Sequence, residues 1–245
     1  MPLPATRSRL SYKDRISHQK KRFRFVRVVL LVLVVYLLIS TALAEPWVLN
    51  TDSMNPGYPS GVRFLVHPYW LRDKDGNLRF PPKRGDLVSL MPPYIVPEAW
   101  YFKVINPVLR LVTFQKIDIG LLSKDDWENS RIFKRIIALP GDTVYLDDSV
   151  AYVKGAEDEF FISEFEMSGI GYDLEIHDLP VGWSENLPLS GMMDSIVLGE
   201  GQYFVLGDNR SASNDSRYWG PIPVKNIRGK AFFFYWPLHS FGKPQ

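Results

Sequence analysis

The chain first offers reactive chemistry in "LNTDSMNPGYPSG" (49–61), where Ser53 is followed by methionine and, two positions on, proline. Asp52, Asn55, Pro56, Gly57, Pro59 and Gly61 are turn and loop formers, so the hydroxyl is carried on a loop. Alone, the stretch reads as a linker. Two others hold polar groups in a suggestive arrangement: "FKRIIALPGD" (133–142), a lysine in an apolar run, and "GQYFVLGDNRSASNDSRYWGPIP" (201–223), dense in Asp, Asn, Arg and Ser. "RGDLVSL" (84–90) is a lesser fourth. A serine hydroxyl attacks poorly until a base takes its proton. The chain has no cysteine, so it has neither a thiol nucleophile nor a disulfide framework. Its four histidines (His18, His67, His177, His239) are scattered, without HExxH or metal-ligand spacing. This argues against a zinc peptidase and for no metal and no cofactor. His67 and His177 remain as histidine alternatives for a base.

The elements that must position these groups begin with a basic leader. The formal net charge is only +2, but Met1–Arg27 concentrates cations (Lys20, Lys21, Arg22, Arg24 and Arg27 among them) against the single acid Asp14. No aromatic interleaving or reading motif accompanies them, so nucleic acid is not the expected partner. Instead they flank "VVLLVLVVYLLISTALA" (28–44), which carries no charge and suits a short membrane-spanning helix, with Trp47 as an interfacial anchor. The positive-inside rule then gives a cytoplasmic tail at 1–27, an anchor at 28–47 and an extracytoplasmic domain at 48–245. Ala42-Leu43-Ala44 leaves a cleavable signal peptide as the alternative.

Beyond the anchor the fold class is mainly β. "VRFLVH" (62–67), "DLVSLM" (86–91), "FKRIIAL" (133–139), "DTVYL" (142–146), "VAYV" (150–153), "QYFVLG" (202–207) and "KAFFFYW" (230–236) are short, rich in β-branched and aromatic residues, and bounded by Gly, Pro or Asp. Leu146-Asp147-Asp148-Ser149 predicts a hairpin turn. Residues 92–131 and 156–200 read as insertions. The first is either a packed excursion or an interfacial element meeting lipid headgroups, and the second a small subdomain or lid.

Taken together, "TDSMNP", "FKRIIALPGD" and "GDNRSASNDSRYWG" resemble the type I signal peptidases, serine endopeptidases that release exported proteins from leader peptides. The last stretch is the most specific. The resemblance implies a signal-peptidase-like β core behind one transmembrane helix, at the inner membrane of a bacterium. It makes Ser53 the nucleophile and Lys134 the general base. An ordinary lysine is neutral at pH 7 only about once in 2,500 molecules, so the base must be buried, and the apolar neighbours of Lys134 are consistent with that. The resemblance also makes Thr51 a hydroxyl donor to the oxyanion and Ser213 the residue holding the lysine. Asp208, Asn209, Arg210, Asp215 and Arg217 become a structural scaffold, and Met54 lines the substrate cleft. Arg135, on the strand's opposite face, need not share the lysine's pocket.

The pattern departs from the family where Gly57-Tyr58-Pro59 follows the Ser-Met-x-Pro, at Thr51-Asp52, and in the length of 92–131. The implied partners are membrane lipid and precursors with Ala-x-Ala-like sites. The alternatives are a dedicated pilin or conjugation-protein peptidase, tied to secretion or conjugation machinery, and a non-catalytic membrane scaffold.

Overall fold

A computed structural model of the chain describes residues 12–42, 44–68, 81–94, 105, 108–109, 132–177, 191–238 and 241–244. All seven strands expected from the sequence form. They are β2 (Arg63–Pro68), β3 (Leu87–Leu90), β4 (Ile132–Ala138), β5 (Thr143–Asp147), β6 (Val150–Lys154), β9 (Gln202–Leu206) and β11 (Ile227–Trp236). Four more join them: β1 (Glu45–Val48), β7 (Ile162–Ser163), β8 (Met193–Val197) and β10 (Ile222–Pro223). β1 and β10 lie at the two edges of their sheet and each contains a proline, tolerated there because an edge strand leaves one row of amides unpaired.

The main sheet runs β1-β2-β11-β3-β4-β9-β10, and the second runs β7-β6-β5-β8. The expected turn closes β5 onto β6 with Asp147 opposite Val150. Its two central residues, Asp148 (φ 46°) and Ser149 (φ 67°), take the left-handed backbone of the tight hairpin turn that matches strand twist.

β4 occupies the interior of the main sheet between β3 and β9, and its residues from Phe133 to Ala138 are all buried. Its alternation decides what each side chain meets. Lys134 stands opposite Val88 and shares the face of Ile136, which packs with Val88 and Val205. Arg135 stands opposite Leu87, on the face of Phe133, where Phe64 stacks on Phe133 with ring centroids 4.9 Å apart. A third cluster, with Ile137, Leu146, Val153 and Phe204, joins the main sheet to the small one.

The amino-terminal apolar run is helical, within α1 (Tyr12–Ala42). Among the described residues, no helix is long and apolar enough to cross a membrane. Trp47, read as an interfacial anchor, lies on β1, packs against the cluster containing Leu49 and Phe64, and donates Nε1–H to Glu45 Oε2 at 3.0 Å. Most of 92–131 and residues 178–190 lie outside the described residues. The described part of the second insertion holds β7, β8 and a one-turn helix, α2 (Glu164–Ser168). Ser163 and Glu166 form a reciprocal capping box at its start, and Gly169 ends it in the left-handed conformation.

Candidate active site

The loop carrying Ser53 lies between β1 and β2. Leu49 N–H donates to Val62 O (2.8 Å) and Gly61 N–H to Leu49 O (2.8 Å), closing the loop at its base. Inside it Tyr58 N–H reaches Met54 O (2.9 Å), and Tyr58 stacks on Phe234 at 4.9 Å. Met54, expected along a substrate cleft, is fully buried with Leu49, Tyr58 and Phe64 and presents no surface. Its unbranched thioether fills the core beneath the loop instead.

Ser53 and Lys134, 81 residues apart, meet with Nζ 2.7 Å from Oγ. Lys134 is 2% exposed and Ser53 5%. Burial among apolar side chains lowers the Lys134 pKa from 10.5 to about 8; Asp215 and Asp208 act against this and Arg217 with it. Thr51 Oγ1 lies 3.0 Å from Ser53 Oγ, so the serine oxygen sits between an amine and a second hydroxyl.

The stretch 207–217 holds this arrangement from behind. Asn209 N–H donates to Ser53 O at 3.1 Å, tying the backbone of Ser53 to the motif. Asn209 Oδ1 accepts Ala212 N–H (2.9 Å). Asp215 accepts Gly207 N–H (3.0 Å), caps α3 (Ser216–Trp219) through Arg217 N–H, and forms an ion pair with the Arg217 guanidinium (2.8 Å). Burial alone would raise the Asp215 carboxyl, but the charge and hydrogen bond of Arg217, together with Lys134 and Ser213, outweigh it and hold the group below the usual carboxylate range. Arg217 also reaches Arg210 O at 2.7 Å. Arg135 grips Asp208 with two bonds (2.9 and 2.6 Å), away from Lys134 on the strand's other face.

Ser213 does not make the bond expected of it. Its Oγ is buried and satisfies no hydrogen bond, although it lies close enough to Asp215 to favour that group's ionised form. Ser211 accepts His177 N–H (2.7 Å). The histidine alternatives sit elsewhere: His67 packs edge-on against Phe232, and His177 is exposed beside Glu175. Among the described residues, no group of three His, Cys, Asp or Glu could hold a metal ion.

Sequence reasoning missed Gly207, Glu164 and Tyr172. A Cβ at Gly207 would stand 2.2 Å from Ser213 Oγ and 2.5 Å from Ser53 O, so only glycine lets the two segments approach. Gly207→Ala must therefore displace the Ser53 carbonyl. The expected result is a fall in peptidase kcat/KM of about 100-fold in a variant that still unfolds cooperatively; an unchanged rate would show that the loop does not need this contact.

Comparison with known proteins agrees with the motifs. A family model described as "Signal peptidase, peptidase S26" matches residues 22–236. A probable signal peptidase I-1 of Synechocystis sp. is 28% identical over 220 residues, covering 89% of this chain and 84% of the relative. The signal peptidase I of Bacillus licheniformis is 27% identical over 222 residues, covering 90% and 92%. Thylakoidal processing peptidase 1 of Arabidopsis thaliana is 29% identical over 206 residues, covering 83% of this chain and 45% of that protein. A family match spanning nearly the whole chain, joined to these relatives, places the protein: it belongs to the signal peptidases of peptidase family S26, serine-protease hydrolases.

Proposed function

We propose that this chain removes leader peptides from exported precursor proteins, with Ser53 as nucleophile and Lys134 as general base. The observation that carries this reading is the buried 2.7 Å contact between Nζ and Oγ, with the amine's pKa brought down to about 8. In the neutral form Lys134 accepts the Ser53 proton as Oγ attacks the scissile carbonyl carbon. Charge developing on the carbonyl oxygen is met by the Ser53 N–H and the Thr51 hydroxyl. The ammonium of Lys134 then gives its proton to the departing amine, leaving the leader esterified to Ser53. A water that loses its proton to Lys134 attacks the ester, and the same proton returns to Oγ as the leader leaves.

The charge-free run at 28–44 behind a basic leader supports a single-pass anchor, with residues 1–27 in the cytoplasm and the β domain outside. In α1, Val28, Leu31 and Val32 are 61%, 65% and 59% exposed, a lining that a bilayer would cover and water would not, while Lys20, Lys21, Arg22, Arg24 and Arg27 precede it. Tethering would raise the encounter between the nucleophile and a cleavage site emerging at the same surface. The reading is tested by incubating the purified protein with a panel of precursors bearing small-x-small sites and reading the new amino termini by mass spectrometry. Cleavage after the second small residue is expected from the wild type and not from Ser53→Ala; equal cleavage by both refutes the assignment.

The lowered lysine also sets a pH profile. At pH 7 roughly one Lys134 in ten is neutral, against one in about 2,500 for an ordinary lysine. Precursor-cleavage kcat/KM should rise about tenfold between pH 7 and pH 9, with a midpoint near the Lys134 pKa of about 8. A flat profile across that range would exclude a titrating amine as the base.

A further inference from the structure

The second insertion reaches the back of the catalytic motif through the buried Glu164 and the half-buried Tyr172. Glu164, at the start of α2, is 2% exposed and accepts both Arg210 Nη2–H bonds (2.8 and 2.6 Å), Ala151 N–H (3.0 Å) and the Tyr172 hydroxyl. Arg210 also donates Nε–H to Gly207 O (3.0 Å) and Nη1–H to Ser149 O. Tyr172 lays its ring over Arg135, whose guanidinium carbon is 3.8 Å from the ring centroid, and Arg135 is the partner of Asp208. Backbone contacts follow the same course: Glu175 N–H donates to Asp208 O (3.0 Å) and Arg210 N–H to Glu175 O (2.9 Å). Residues 164–175 thus form a strap across the rear of 208–210, while the front of that turn holds Ser53 O through Asn209 N–H.

We propose that Glu164 and Tyr172 are positioning residues for the peptidase reaction: by clamping Arg210 and Arg135 they fix the turn 208–210, and through Asn209 they set Ser53 Oγ against Lys134 Nζ. The proposal rests on the Ser/Lys reading above and extends it to an insertion that neither the motifs nor the dyad explains. Its physical basis is that Arg135 and Arg210 are both about 1% exposed, so each guanidinium has one buried geometry satisfied by its acid partner and loses it when the strap lets go. The strap touches neither reacting oxygen nor amine, so it acts on orientation and on the field at Lys134. Asp208 favours the protonated lysine, and Arg135 offsets that carboxylate.

Tyr172→Leu removes both the ring over Arg135 and the hydroxyl on Glu164; Tyr172→Phe keeps the ring. The measurement is precursor cleavage at a temperature where thermal unfolding shows each variant fully folded, with kcat and KM separated and kcat/KM followed from pH 6 to 10. Tyr172→Leu is expected to lower kcat about 10- to 100-fold with KM within about twofold, and to move the pH midpoint upward as Arg135, no longer held by the ring, offsets the Asp208 charge less. Tyr172→Phe should restore most of the kcat and return the midpoint. The inference is overturned if Tyr172→Leu keeps a wild-type kcat, if KM alone rises, or if kcat falls with the midpoint unmoved. Should Tyr172→Leu not fold, Glu164→Gln carries the same comparison, and a wild-type kcat and midpoint in that variant overturns it. If wild-type protein itself cleaves no precursor, the failure belongs to the functional reading and not to the strap.

Discussion

Lys134→Met and Ser53→Ala are each expected to lower precursor-cleavage kcat/KM by at least about 10⁴-fold, and the double variant to lose little more, because in the proposed mechanism the two groups act in one proton transfer. Their effects on stability should diverge. Lys134 has a folded-state pKa of about 8 against 10.5 for the free side chain. Between those values the unfolded chain binds more protons than the folded one, so wild-type stability rises with pH through that window, and below about pH 8 the burial penalty is fully present. That penalty is on the order of 3 kcal/mol. Lys134→Met removes it, filling the same apolar surroundings with an uncharged chain of similar length. The variant should therefore be more stable than wild type at pH 7, with the difference shrinking toward zero near pH 10.5. Thermal unfolding at several pH values, paired with cleavage assays, checks both halves. A variant that is inactive and also less stable at pH 7 would mean the amine's role is structural. Activity near wild type would remove Lys134 from the reaction.

What the sequence made legible was whatever depends on local pattern. The strand around Lys134 announces itself through Ile, Ile and Ala, and its period of two separates Lys134 from Arg135 before any coordinates are seen; the structure gives them different partners on different faces. The 146–149 turn was readable because its Asp and Ser residues tolerate left-handed backbone. The juxtaposition of Ser53 and Lys134 came from family resemblance, since no local rule brings together groups 81 residues apart. Long-range packing was not legible. Met54 is a surface-compatible residue that the loop turns into the core, and Gly207 looks like an ordinary strand terminator until Ser53 O and Ser213 Oγ are found where its Cβ would stand. Glu164 is one acid among many in 156–200. A local signal did exist in Ser163-x-x-Glu166, the capping-box pattern that opens α2, but it marks a helix start and not the buried partner of Arg210. Strands of two residues, such as β7 and β10, carry no periodicity to detect.

Thr51→Val should lower kcat about 10²- to 10³-fold while leaving KM within a few fold, and Thr51→Ser should recover most of the loss. The argument turns on hydrogen counting at one oxygen. Ser53 Oγ has Lys134 Nζ at 2.7 Å and Thr51 Oγ1 at 3.0 Å. When the amine is neutral and ready to act as base, the single Ser53 proton must point at its lone pair. The contact with Thr51 can then be made only if threonine is the donor. Its hydroxyl proton then points at Ser53 Oγ, and in the proposed mechanism a rotation about Cβ–Oγ1 redirects it from Oγ to the developing oxyanion. Valine keeps the volume and the branched Cβ but removes the proton, so ground-state binding is nearly untouched and the loss falls on the transition state. Steady-state kinetics on one precursor distinguishes the cases. A rise in KM at constant kcat would make Thr51 a substrate contact, and an unaltered kcat in Thr51→Val would leave the oxyanion to backbone N–H donors alone.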